Sequence, residues 1–345
     1  MNVKKEICIK GAAMFSRKLS VLILLLSMNS GLFAQNNLMN EYFDADKLND
    51  TINSYISNVS DLIPDTTTFQ NVWAKVPNGG LYFGGGINGS IALLNRNQTS
   101  NISKGAEAFG ADNIDLTKFP EGVPFLPAVS FDIRVGYKDF DFGLTGTWLD
   151  EKILSDSDIE FFGNGSSFAF RYLGFDMRYT IPLRKFFNKP IINLLPLVTV
   201  QTGYFYTGLS FGVFANYLEK TESVKVDFRN DSYLLGLQIS KGFLLDIIMP
   251  YIGVKFIFSK TDSEYNWYTN RPVMIQGQPY LSGVKYTSAT NEGDLNVYNQ
   301  IYGGIGFALP ADGGASAYTF VIGGAYSLGT NHFSLNASIR LVLGR

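Results

Sequence analysis

The stretch Leu126–Leu149, LPAVSFDIRVGYKDFDFGLTGTWL, restricts the fold more than any other part of the chain. Phe131, Ile133, Val135 and Tyr137 alternate with Asp132, Arg134 and Gly136. After a Lys138-Asp139 turn, Phe140, Phe142 and Leu144 resume the alternation against Asp141, Gly143 and Thr145. Successive side chains on a strand point to opposite faces, so these residues predict a β-hairpin with one apolar and one charged face. A soluble sandwich would bury the apolar face and an outer-membrane barrel would turn it to lipid; the hairpin fits both.

The rest of the chain favours lipid. Charged residues make up 17% of the 345 positions, where water-soluble domains carry about 25%. A net charge of −2 supplies no basic surface for nucleic acid. Arg17 and Lys18 precede the apolar run Leu19–Leu26, and small and polar residues then lead to Leu32-Phe33-Ala34-Gln35. This reads as a cleavable export signal over residues 1–34, with Met14 as an alternative start. The run is far short of the roughly 20 residues of a spanning helix, and no later stretch approaches one. Cys8, the only cysteine, precedes the run, so the mature chain is expected to carry neither a disulfide nor a lipid anchor. If such a chain is integral to a membrane, it must be a closed antiparallel β-barrel.

Residues 35–78 differ in kind from residues 79–345. In Asp44–Ile63, Leu48, Ile52, Tyr55, Val59 and Ile63 recur at helical spacing, and Pro64 offers a stop. The expected amphipathic helix is either a plug with its apolar stripe inside the barrel or a periplasmic leader to the first strand. Residues 79–345 form the expected all-β barrel of roughly 10 to 14 strands, an even number, with long loops on one side and tight turns on the other. The expected long loops are Asn95–Pro124, Asp150–Ser167 and Ser259–Asp294. In Phe168–Tyr179 the apolar alternation changes phase near Leu173-Gly174, which predicts a β-bulge.

Catalytic constellations are nearly absent, and no enzyme, cofactor or metal is expected. His332 is the only histidine and is expected in a solvated turn, so His triads and the usual zinc sets cannot be assembled. Gly84-Gly85-Gly86-Ile87-Asn88-Gly89 matches G-x-G-x-x-G, but an apolar strand follows where a dinucleotide site needs a helix, so it reads as barrel wall. Phe131-Asp132-Ile133-Arg134 and Phe175-Asp176-Met177-Arg178 repeat one pattern, with Asp and Arg opposite the apolar residues. Both pairs are expected in the lumen with Asp141, Lys255 and Arg340, because charge on a lipid face is costly. They form either an ion-pair network that props the wall or a solute-selective constriction. Substitution of Arg340 is expected to cost much less than a charge placed on the lipid face.

The Leu-Phe-Ala-Gln signal end, the helical segment before Asn71-Val72-Trp73-Ala74, and the Pro124-Phe125-Leu126-Pro127 entry into Phe131-Asp132-Ile133-Arg134 make the chain resemble outer-membrane β-barrels. Among these it is similar to spirochaete-type barrels compared with the FadL long-chain fatty-acid transporter family. That family's Asn-Pro-Ala motif is not found near the mature N-terminus, and the chain ends in Leu341-Val342-Leu343-Gly344-Arg345 rather than in an aromatic residue. The resemblance implies passive transport of a small or hydrophobic, fatty-acid-like solute across the outer membrane. Its implied partners are membrane lipid, the solute and the outer-membrane assembly machinery. The alternative is a non-transporting surface barrel whose loops bind a host or matrix partner.

Overall fold

The computed structural model describes residues 43–69, 80–94, 123–149, 166–183, 195–217, 220–244, 247–270, 273–275, 278–280, 283–288, 290–311 and 316–343. The expected signal segment lies outside the described residues, as do most of the loops expected after Leu94 and Leu149. Ten strands close a barrel: β1 (Leu81–Leu94), β2 (Val123–Tyr137), β3 (Phe140–Leu149), β4 (Ser166–Ile181), β5 (Leu197–Tyr217), β6 (Lys220–Ser240), β7 (Ile248–Thr269), β8 (Asn296–Ala311), β9 (Ser316–Ser327) and β10 (His332–Leu343). Each pairs antiparallel with its sequence neighbours, and β10 pairs with β1 to close the ring. A short strand, Val284–Thr287, adds to the far end of β7.

One end of the barrel, the turn end, carries the start of β1, the end of β10 and the Lys138-Asp139 turn. The opposite loop end carries the long connections between β1 and β2, β3 and β4, and β7 and β8. Tight connections are not confined to the turn end: β5 ends at Tyr217 and β6 starts at Lys220 at the loop end, where the Leu328–Asn331 turn also lies. The expected strict alternation of long loops with tight turns therefore fails at these two hairpins.

The outward face is apolar around the ring. Phe131 and Ile133 on β2, Leu144 on β3, Phe175 on β4, Ile305 on β8, Ile322 on β9 and Ile339 on β10 all stand exposed. The outward face of β6 is apolar from Ile239 to Tyr233, then changes to Asp231, Arg229, Asp227 and Lys225. The paired face of β7 changes at the same level, from Phe258 to Lys260, Asp262 and Glu264. Tyr233 and Phe258 therefore mark where lipid ends and water begins.

Beyond that level β5, β6 and β7 continue as a projecting sheet. With 21 or 22 residues each they are about 70 Å long, far more than a bilayer needs even when tilted. Residues 259–269, expected in a loop, are thus strand. Their outward positions Lys260, Asp262, Glu264 and Asn266 are polar, and inward Ser259 and Ser263 give way to Tyr265 and Trp267, so the apolar-outward pattern that marks a membrane strand is lost.

Helix α1 runs Ala45–Phe69, past the expected stop at Pro64. Proline removes one backbone donor and normally ends or kinks a helix. Here the Thr66-Thr67-Thr68 run bonds back onto the last turns. Thr66 Oγ1 donates to Leu62 O (3.1 Å), Thr67 Oγ1 to Ile63 O (2.8 Å) and Thr68 Oγ1 to Pro64 O (2.6 Å). Wall hydroxyls cap two carbonyls near its end: Ser90 Oγ donates to Thr66 O at 2.7 Å and Tyr172 OH to Thr67 O at 3.0 Å.

The expected bulge in β4 is absent; its registers with β3 and β5 run unbroken. The apolar phase changes because the lumen changes: Phe170 and Tyr172 face inward against α1, while Asp176 and Arg178 on the same face reach the polar half. The described irregularity lies instead between β1 and β2, at Ser90/Ala92.

Candidate functional site

The seven charged residues singled out from the sequence, Asp132, Arg134, Asp141, Asp176, Arg178, Lys255 and Arg340, are all buried inside the barrel. Six of them meet. Registers place Arg340 beside Gly86, Gly86 beside Asp132, Arg134 beside Gly143 and Gly143 beside Asp176, so five neighbouring strands contribute to one belt. The glycines give the long side chains room: a Cβ on Gly143 would overlap the Arg134 guanidinium.

Within the belt Arg134 is the keystone. Its Nε donates to Asp141 Oδ1 at 2.8 Å, its Nη1 to Asp176 Oδ1 at 3.1 Å, and its Nη2 to Asp176 Oδ2 at 2.6 Å as well as to Asp141 Oδ1. Arg178 Nε donates to Asp176 Oδ2 at 3.3 Å and lies 3.6 Å from Asp141 Oδ1. Arg340 Nε donates to Asp132 Oδ1 at 3.0 Å, and its Nη2 donates to Asn88 Oδ1, also at 3.0 Å. Asn88 Nδ2 completes that triangle by donating to Asp132 at 3.1 Å. Three carboxylates thus balance three guanidiniums. Lys255 stands apart on β7, its ammonium 5.3 Å from the centroid of the Tyr302 ring.

Between this belt and the loop end an apolar patch forms in the lumen, beside the hydrogen-bonded Asn230, Ser232 and Ser259. Phe170, Phe205, Leu209, Phe228 and Ile257 form it, and the stripe Ile52, Ile56, Val59, Leu62 and Ile63 of α1 packs against it. Of the expected plug residues, Ile52, Val59 and Ile63 are buried in this contact, while the side chains of Leu48 and Tyr55 lie outside those described. Polar bonds pin the helix at successive levels. Trp267 Nε1 and Tyr265 OH donate to Asn49 Oδ1 at 2.9 and 3.3 Å, and Tyr298 OH donates to Asp61 Oδ1 at 2.9 Å. Gln300 Nε2 donates to Asp65 Oδ1.

His332 is not a solvated turn residue. It opens β10 facing inward, 1% exposed, with Nδ1 3.4 Å from Asp65 Oδ2. It shares the parity of Ser334, Asn336, Ser338 and Arg340, all inward, and that parity was readable in the sequence. Tyr251 is likewise inward, its ring centroid 6.3 Å from that of Tyr302. Among the described residues no group of three or more His, Cys, Asp or Glu is arranged to hold a metal.

No family model and no curated protein matches the chain. Among solved structures it is similar to the translocator domain of the autotransporter NalP from Neisseria meningitidis, at 7% identity and a TM-score of 0.39, covering 85% of this chain and 97% of that one. It is also similar to the outer-membrane protease OmpT from Escherichia coli, at 8% identity and a TM-score of 0.37, covering 79% and 100%. The Pseudomonas putida toluene transporter TodX aligns at 10% identity and a TM-score of 0.23, covering 85% and 93%. At such scores these likenesses add nothing to what strand order and the two faces of the wall establish. The chain is a closed, membrane-type β-barrel.

Proposed function

We propose that this protein is an outer-membrane barrel that passively admits a small apolar solute, fatty-acid-like in class, into its loop-end lumen when α1 leaves it. The observation that carries the reading is the apolar lining of that half of the lumen. Barrel interiors exposed to water are polar, whereas Phe170, Phe205, Leu209, Phe228 and Ile257 form a greasy chamber. The helix stripe occupies that chamber as a ligand's chain would. The charged belt beneath it forms a floor, neutral overall and held together by its own bonds.

The test compares the full mature chain with one lacking residues 35–69, in planar bilayers and in binding of a fluorescent fatty-acid analogue. A full-length Leu62→Glu variant unseats the helix without shortening the chain. Both variants are expected to bind the analogue, and the unmodified chain to bind it weakly. If neither variant binds the analogue or conducts, the transport reading fails. The second reading, a surface barrel that binds a partner, then gains ground. Its support is the sheet of β5–β7 and Val284–Thr287 standing beyond the apolar belt.

A further inference from the structure

The direction in which α1 runs assigns a place to the start of the described chain. Ordered along the helix, its partners descend the barrel. Phe43 and Asp44 pair with Val273 and Met274, beyond the end of β7. Asn49 meets Trp267 and Tyr265 in the projecting sheet, above the level where Phe258 gives way to Lys260. Asp61 meets Tyr298 near the loop-end start of β8, and Asp65 meets Gln300 one inward position further down. Thr66 and Thr67 bond Ser90 and Tyr172, inside the barrel. The first turn of the helix is therefore at the loop end, while β1 starts at the opposite end.

Bacterial barrels carry their longer loops outside and their shorter turns in the periplasm, and the water-exposed, charged outward face of β6 and β7 lies at the loop end. We infer that residues Phe43–Asp50 are presented on the extracellular face and that the chain passes from outside to inside through the barrel before β1 begins. A helix whose preceding residues remained in the periplasm would have the opposite polarity. The consequence is that the helix is reached from outside the cell through its first turns, where Asp46 and Asn53 are exposed. This inference does not depend on whether any solute passes.

Single cysteines test it, in a full chain carrying Cys8→Ser. Asp46→Cys is compared with Glu292→Cys, at the loop end, and Lys138→Cys, in the turn between β2 and β3. A membrane-impermeant maleimide is applied to intact cells with the protein in their outer membrane, and again after permeabilisation. Asp46→Cys and Glu292→Cys are expected to label to the same extent before permeabilisation, and Lys138→Cys at least tenfold more after it. Labelling of Asp46→Cys only after permeabilisation overturns the inference, and so does labelling of Lys138→Cys in intact cells. Should Asp46→Cys stay unlabelled throughout, an epitope inserted between Asp44 and Ala45 decides. Antibody binding to intact cells upholds the extracellular placement, and binding to lysed cells alone overturns it.

Discussion

Replacing Arg134 with methionine keeps most of the side-chain volume and removes the charge at the centre of the belt. Asp176 keeps Arg178 Nε at 3.3 Å, but Asp141 is left with Arg178 at 3.6 Å, too long for a good hydrogen bond. Among the described residues Asp141 Oδ2 has no hydrogen-bond partner even in the intact belt. Three buried carboxylates would then face two guanidiniums. Breaking a buried pair in this way costs about 3–5 kcal/mol, because the orphaned charge has lost both water and partner. Adding Asp141→Asn restores the balance and should recover more than half of that loss. The measurement is a urea titration in phospholipid vesicles, read by tryptophan fluorescence and by gel migration of the folded form. A loss below about 1 kcal/mol for Arg134→Met, or a double variant as costly as the two singles added, would show that water solvates the belt and that the lumen is wet at this level.

Ile133→Arg and Ile339→Arg place charge near the middle of the lipid face and should each cost about 2–4 kcal/mol in the same titration. Arg340→Gln, expected from sequence to be mild, should instead approach the cost of Arg134→Met, since it takes from Asp132 its guanidinium and leaves it the Asn88 amide. Gly136→Ala drives a methyl group into the Tyr82 ring and should destabilise by about 1–3 kcal/mol, with Tyr82→Leu relieving part of the loss. Trp267→Phe removes the 2.9 Å bond to Asn49 and should weaken docking of α1 by about 1 kcal/mol. Faster amide exchange in α1 with unchanged barrel unfolding would register that loss.

The membrane-facing half of this fold was legible because lipid imposes one rule on every strand. Apolar parity outward identified β2 and β3, and by difference Asp132, Arg134, Asp176, Arg178 and Arg340 were expected inside, where they lie. The rule fails above Tyr233 and Phe258, where the outside is water. There Val226, Phe228, Tyr265 and Trp267 face inward, and the polar outward residues made strand look like loop. The same change produced the false bulge near Leu173. Pro64 misled for a separate reason: the threonines that satisfy the helix beyond it do so through side chains, which a rule about proline and backbone donors does not anticipate.

The two halves of the lumen therefore obey different physics along the same strands. At the belt the outer face meets lipid and the inner face carries paired charge; nearer the loop end the outer face meets water and the inner face needs an apolar partner. Helix α1 is that partner, and it turns the loop-end interior into an ordinary soluble core. Its departure would expose Phe170, Phe205, Leu209, Phe228 and Ile257 together, a contiguous patch of the kind that folded proteins seldom leave bare to water. The helix can leave at low cost only if something apolar takes its place, so on the transport reading proposed above release of the plug and entry of an apolar solute would be coupled as exchange.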